Sequence, residues 1–270
     1  MAKSEIIYGG SIPRIYERTL GPVYFEPYAV ETARRAKRLK PQKILEVACG
    51  TGRVTVQLAE RLPKTVRITA TDISPDMLAV AKKKLSRDKN VNFKVVDAMK
   101  LPFANESFDM VICQFGLMFF SNREKAIKEM WRVLKKDGAF IFVVWDKLFY
   151  NPVAAAGREI LKDFFDGQPP KALGMAFSMA NRTELAKLIP LNVDVLIETV
   201  NKPCIASSAR RLAFAQVDGS SIADFVRKKD AEAIPVLKKK IADAIEENFG
   251  NHPVESTMQA IYMQGRKEME

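Results

Sequence analysis

Histidine is almost missing from this 270-residue chain, with His252 the only one. Cysteine is scarce too: Cys49, Cys113 and Cys204 form an odd, widely spaced set with no C-x-x-C pair. That excludes a disulfide framework and a zinc site of the usual spacing, and the three thiols read as small buried hydrophobes in a reducing compartment. No apolar run approaches the ~18–20 residues that span a bilayer. The opening MAKSEIIYGGSIPR lacks the apolar stretch of a secretory signal, so the cytoplasm is the expected location. No glycine-rich segment ends in G-K-[ST], which argues against a phosphate loop. Internal repeats and low-complexity tracts are also lacking.

What remains is ordinary globular material, 47 % hydrophobic and 28 % charged. The surplus of eleven positive charges is uneven, however. Residues 1–100 hold 20 Lys and Arg against 10 Asp and Glu, whereas residues 101–270 are close to neutral. A basic N-terminal face raises nucleic acid, an acidic membrane surface or an anionic substrate as a partner. The alternative is a solvated helix face, in which Arg34, Arg35, Lys37, Arg38 and Lys40 surround Ala33, Ala36 and Leu39. The absence of an appended RNA-binding module favours that second reading.

Along the chain, short apolar or β-branched runs alternate with helical patterns. Strands are expected at Lys43–Val47, Arg67–Asp72, 91–96, 108–115 and 139–145, with helices at 55–61, 74–86 and 123–134. Ser74 followed by Pro75 is a helix start, and Asp137-Gly138 is expected to stop the third helix. This alternation implies βαβ units and a parallel sheet. Two further strands are expected at 193–200 and 254–263, separated by a helical stretch over 207–249 placed to cover the carboxyl ends of the sheet.

The chemistry concentrates in ILEVACGTGR, where a strand ends in an acidic residue and a glycine-rich turn that enters a helix. Gly50 and Gly52 can take backbone angles closed to other residues and let a ligand approach the main chain. In open α/β sheets ligands bind outside the carboxyl ends of strands. Glu46 would repel a pyrophosphate, and Thr55 stands where G-x-G-x-x-G has its third glycine. Asp72 ends the next strand, 20 residues after Gly52.

E-x-A-C-G-T-G after an apolar strand resembles motif I of the class I S-adenosylmethionine (SAM)-dependent methyltransferases. The resemblance extends to about residue 146 through Asp72, Asp97-Ala98, LPFANESFDMVICQFGLMFF and EMWRVLKKDGAF. Lys136-Asp137-Gly138 departs mildly from the family's K-P-G-G turn. YERTLGPVYFEPYA and QFGLMFF resemble the ubiquinone/menaquinone-biosynthesis-like group of small-molecule enzymes.

The resemblance implies an α/β fold: a doubly wound, mostly parallel, seven-stranded Rossmann-like sheet with N-terminal helices and a helical lid insertion. One domain is expected, with cap helices over 1–40, a SAM-binding core over 41–146, sheet completion over 147–206 and 250–270, and the lid over 207–249. SAM is the implied cofactor and S-adenosylhomocysteine its product. The main chain at Ala48, Gly50 and Gly52 would face the methionine part, with Glu46 holding its amino group through water. Asp72 would take the ribose and Asp97 and Ala98 the adenine amino edge. Ile73 and Met99 would pack on the ring, and Met77 is placed with them. Gln114 and Phe115 would line the transfer site, which Tyr16 and Phe25 would close. Met118, Phe119 and Trp145, with the Phe177/Met179 region, would form an apolar pocket for a small organic acceptor.

No metal is expected and no catalytic residue is assigned, since methyl transfer needs no base when the acceptor is already nucleophilic. His252 beside Pro253 reads as a loop residue. Cys113-Gln114-Phe115-Gly116 is not the N/D-P-P-Y/F of amino-methylating DNA and glutamine enzymes, and the cysteines do not converge as arsenite methylation would require. Methylation of RNA or protein, and a non-enzymatic SAM-binding role, remain the competing readings.

Overall fold

A computed structural model describes residues 9–190 and 193–268. The first eight residues of the expected cap region, residues 191–192 of the expected sheet-completion segment and the last two of the chain lie outside the described residues.

The chain enters through α1 (Ile12–Arg18), a π-helical turn at Gly21–Phe25 and α2 (Glu26–Leu39). Five strands and three helices follow: β1 (Lys43–Val47), α3 (Arg53–Arg61), β2 (Arg67–Asp72), α4 (Pro75–Lys84), β3 (Val91–Val95), β4 (Phe108–Gln114), α5 (Arg123–Val133) and β5 (Leu134–Trp145). Three helices then form a cover, α6 (Pro152–Phe164), α7 (Lys171–Met175) and α8 (Arg182–Lys187). The edge strand β6 (Val195–Ala206) leads to α9 (Ala209–Asp218), α10 (Ile222–Asp230), α11 (Ala233–Phe249) and the closing strand β7 (Val254–Arg266).

The seven strands lie in the order β3-β2-β1-β4-β5-β7-β6. Strands β1 to β5 pair in parallel, while β7 runs antiparallel to both β5 and β6. Strand order reverses between β1 and β4, and a ligand crevice is expected at their carboxyl ends. The core is centred on β5, whose Phe140, Ile141, Phe142, Val143 and Val144 are fully buried. Such a continuous apolar run is what a strand covered on both faces requires. Each of these side chains contributes about 1.5–3 kcal/mol through burial. Pro203 is tolerated because β6 is an edge strand, where a missing N–H costs no ladder bond.

Two sequence expectations differ. Helix α5 ends at Val133, not at the Asp137-Gly138 turn, because Leu134 is already extended and pairs with Phe108. Residues 135–138 are an irregularity in β5: Asp137 has φ 57° and its N–H donates to Lys267 O at 2.8 Å. In addition, much of 147–206 is helical, not sheet completion. Val153, Gly157 and Leu161 form the buried stripe of α6.

The N-terminal helices are fastened by charge. Glu17 accepts from Arg53 at 2.9 Å and Lys84 at 3.0 Å, and Glu26 accepts from Arg53 at 2.5 Å. Glu31 pairs with Arg34 at 2.6 Å and Arg35 at 2.8 Å, so part of the basic surplus is spent inside the molecule. Among the described residues, no helix is long and apolar enough to cross a membrane.

Candidate active site

Three neighbouring strands bring carboxylates to one edge of the sheet: Glu46 near the end of β1, Asp72 at the end of β2 and Asp97 just beyond β3. All three line a single cavity of about 930 Å3, near the upper end of the usual ~300–1,000 Å3 for small-molecule sites. Among the described residues, no cluster of three or more His, Cys, Asp or Glu is placed to hold a metal ion.

The turn after β1 carries three left-handed residues, Ala48 (φ 55°), Gly50 (φ 56°) and Gly52 (φ 76°). Gly50 donates its N–H to Asp72 Oδ2 at 2.8 Å, and Ser74 N–H donates to Asp72 Oδ1 at 2.8 Å. Asp72 therefore ties the turn to the start of α4. An ionised carboxylate offers about four acceptor positions, so two remain for a diol. Burial pushes the Asp72 pKa up, while the Ser74, Gly50 and Ile73 N–H groups hold it down.

The two glycines do different work. A Cβ on Gly50 would enter open space, so the main chain there is bare to the cavity. A Cβ on Gly52 would lie 2.8 Å from Ala81 Cβ. Gly52 does not line the cavity, contrary to the sequence expectation; it lets α3 begin close against α4.

Glu46 is 2 % exposed, and its Oε2 accepts from Thr55 Oγ1 at 2.6 Å. Burial pushes its pKa up to about 8; the Thr55 hydroxyl and the Lys84 charge oppose this, and the Asp72 carboxylate adds to it. No cation pairs with it among the described residues, so an entering ammonium group would meet an unmatched acid. The buried Thr51 hydroxyl also lines the cavity, without a hydrogen-bond partner among the described residues. Sequence reasoning passed over Thr51 although it stands inside the glycine-rich string. An orphaned hydroxyl, a bare Gly50 and a solitary buried acid together suit a zwitterionic amino acid. Asp97 Oδ1 accepts Met99 N–H at 2.8 Å, and Ile73 forms a 65 % exposed shelf on the cavity. Met77, Ala98 and Met99 complete this side of the lining.

At the end of β4, Gln114 Oε1 accepts from Thr32 Oγ1 of α2 at 2.6 Å. Phe115 (φ 57°) stacks on Trp145 with centroids 4.1 Å apart, and Phe25 meets both edge-on at 5.4 and 5.8 Å. Tyr16 packs on Phe25 at 5.0 Å. Gln114, Phe115, Trp145, Phe25, Tyr16 and Phe119 line the cavity. A Cβ on Gly116 would lie 2.6 Å from Ala48 Cβ, so glycine there lets the β1 and β4 turns touch. Met118 does not line the cavity: it is 1 % exposed and sits in the core, because the short 3-10 turn at Leu117–Phe119 directs Phe119 outward instead. Met179 is likewise buried away from the lining, whereas Phe177 faces it.

The opposite wall comes from α6, α7 and the α9–α10 junction, with Arg158, Leu161, Leu173, Phe177 and Gln216 among its residues. Gln216 Nε2 donates to Val153 O at 3.0 Å, locking α9 to α6 across Gly157, where a side chain would collide with Gln216. Of the expected lid over 207–249, only residues 216 and 219–222 reach the cavity. His252 lies outside it, with Nδ1 3.0 Å from Ser207 O.

Residues 45–142 match the family described as a methyltransferase domain. With the strand order and the acidic strand ends, that match makes residues 45–142 similar to methyltransferase domains of the class I, SAM-dependent type. Among named relatives, demethylmenaquinone methyltransferase of Deinococcus radiodurans is 37 % identical over 112 residues, 41 % of this chain and 46 % of the relative. The enzyme of the same name from Staphylococcus aureus MRSA252 is 38 % identical over 134 residues, 48 % of this chain and 56 % of the relative. The chain thus spans about half the length of these curated relatives. The solved structure of the YcgJ protein of Bacillus subtilis shares the fold, with a TM-score of 0.59 and 18 % identity over 90 % of this chain and 100 % of that one.

Proposed function

We propose that the chain transfers the methyl group of SAM to a small, largely apolar organic acceptor held between the Phe115–Trp145 stack and the α6–α7 wall. The observation that carries this is the division of one cavity into two unlike halves: bare main chain and carboxylates on one side, aromatic and aliphatic side chains on the other. SAM supplies an electrophilic methyl sulfonium, and the protein supplies position and surroundings. Glu46 and the Thr51 hydroxyl hold the amino-acid end, while Asp72 and Asp97 fix the nucleoside. Phe25, Phe115 and Trp145 exclude water from the line of transfer. The activity named for the demethylmenaquinone methyltransferases makes aromatic ring acceptors, quinols first, the class to test.

Calorimetric titration with SAM, followed by detection of S-adenosylhomocysteine release over a panel of quinols, phenols, thiols and amines, tests the reading. Saturable SAM binding with turnover on an aromatic member is expected. Failure to bind SAM, or binding without turnover on any member, would contradict it.

A further inference from the structure

The charges around the cavity are distributed unevenly. Glu46, Asp72, Asp76 and Asp97 all stand on the side of the β1–β3 strand ends. Arg53 also reaches the lining, but its guanidinium is committed to Glu17 and Glu26. The acceptor wall carries a single charge, Arg158 of α6. Its side chain is half-buried on the wall that Leu161, Leu173 and Phe177 also line, and it makes no hydrogen bond or ion pair among the described residues. The guanidinium lies over Gly174 of α7, where an added Cβ would stand 3.2 Å from Nη2, so the glycine leaves room for it.

A guanidinium partly withdrawn from water and left without an anion is costly, and such groups are ordinarily paired. Its planar fork of donors matches a carboxylate through two parallel bonds. The amino-acid end of SAM does not meet this need. That end belongs to the β1 turn, whereas Arg158 hangs from the helix after β5, and β4 lies between the two strands.

Resting on the methyltransferase reading above, we infer that Arg158 is a specificity-determining residue and that the methyl acceptor is an apolar, aromatic-type molecule bearing a carboxylate. In the acceptor complex the carboxylate sits against Arg158 and the ring lies along Phe177 and Trp145. The acceptor atom is thereby turned toward Phe115.

The test uses full-length protein saturated with S-adenosylhomocysteine and two probes of one shape, 2-naphthoate and the neutral 2-naphthalenemethanol. Binding is read by calorimetry and by quenching of tryptophan fluorescence. The wild type should bind naphthoate about 10-fold or more tightly than the alcohol, the scale of one charge-assisted, two-pronged contact. Arg158→Leu should erase that preference while leaving the affinities for the alcohol and for S-adenosylhomocysteine unchanged. Arg158→Lys, which keeps the charge and loses the fork, should retain only part of it. Equal binding of both probes to the wild type, a preference that survives Arg158→Leu, or binding of neither probe would each overturn the inference. So would a selective loss of S-adenosylhomocysteine affinity in Arg158→Leu, which would make Arg158 a cofactor ligand. Wild-type protein that fails to bind S-adenosylhomocysteine would instead sink the methyltransferase reading.

Discussion

On the side of the cavity proposed for the cofactor, two of the three strand-end carboxylates are fixed by main chain. Gly50 and Ser74 N–H groups hold Asp72, and Met99 N–H holds Asp97. On the acceptor side the contacts come from side chains on α6, α7 and α9, bridged by Gln216. The first wall inherits its geometry from the sheet register and can tolerate little change. The second is built from separate helices whose side chains can be exchanged without disturbing the strands. One wall is suited to an invariable ligand and the other to a selected one.

The comparison is tested most severely at Asp72. Asp72→Ala removes the proposed acceptor for the ribose and also the strut for the turn, so SAM affinity should fall by about 100-fold or more, at ~1.5–3 kcal/mol per bond to a charged group. Calorimetry would reveal this, and an affinity within twofold of wild type would refute the assignment.

The two glycines should separate binding from stability. Gly52→Ala drives a Cβ toward Ala81 at φ 76° and should cost about 1–3 kcal/mol in thermal or denaturant unfolding. Gly50→Ala should lower stability less and weaken SAM binding more, because its Cβ enters only the cavity.

Glu46 supplies a pH signature. Its folded-state pKa of about 8 lies above the ordinary 4.5, so the folded protein keeps a proton that the unfolded chain releases within that window. Stability of the unliganded protein should therefore fall as pH rises from about 4.5 to 8, and Glu46→Gln should flatten the slope. SAM captured by the carboxylate form should expel that proton. Affinity would then rise with pH and level off above about 8, with proton release measurable by titration in buffers of different ionisation enthalpy. Unchanged release in Glu46→Gln would place the proton elsewhere.

The smallest effect belongs to the acceptor wall. Phe177→Ala should raise the acceptor KM several-fold and leave SAM affinity untouched, as steady-state kinetics paired with calorimetry would show. A matching loss of SAM affinity would mean that the two walls are not separable.

The same contrast explains what could be read from the sequence. Strands β1 and β2 fall on the residues their patterns indicated, and Ser74 caps α4 by accepting Met77 N–H at 3.2 Å. These are local rules: apolar periodicity, turn residues and caps. They extend to the acidic strand ends, because the end of a strand fixes where its next side chain stands. They fail where tertiary pairing decides. Leu134 could end a helix or begin a strand, and its pairing with Phe108 settles the matter. The α6 stripe of Val153, Gly157 and Leu161 was present in the sequence as helical spacing and went unread. That Arg158 or Gln216 would reach a cavity formed by strands far away in sequence had no local signal. The same holds for Gly52 and Met118, whose positions depend on Ala81 and on the Leu117–Phe119 turn.

A crystal structure with S-adenosylhomocysteine bound tests the division of the cavity most directly. The ribose should rest on Asp72, the adenine on the Ile73–Met99 shelf beside Asp97, and the amino-acid end against Gly50 and Thr51, with the sulfur facing the Phe115–Trp145 stack. A nucleoside lodged against α6 and α7, leaving the Asp72 edge unused, would contradict the account.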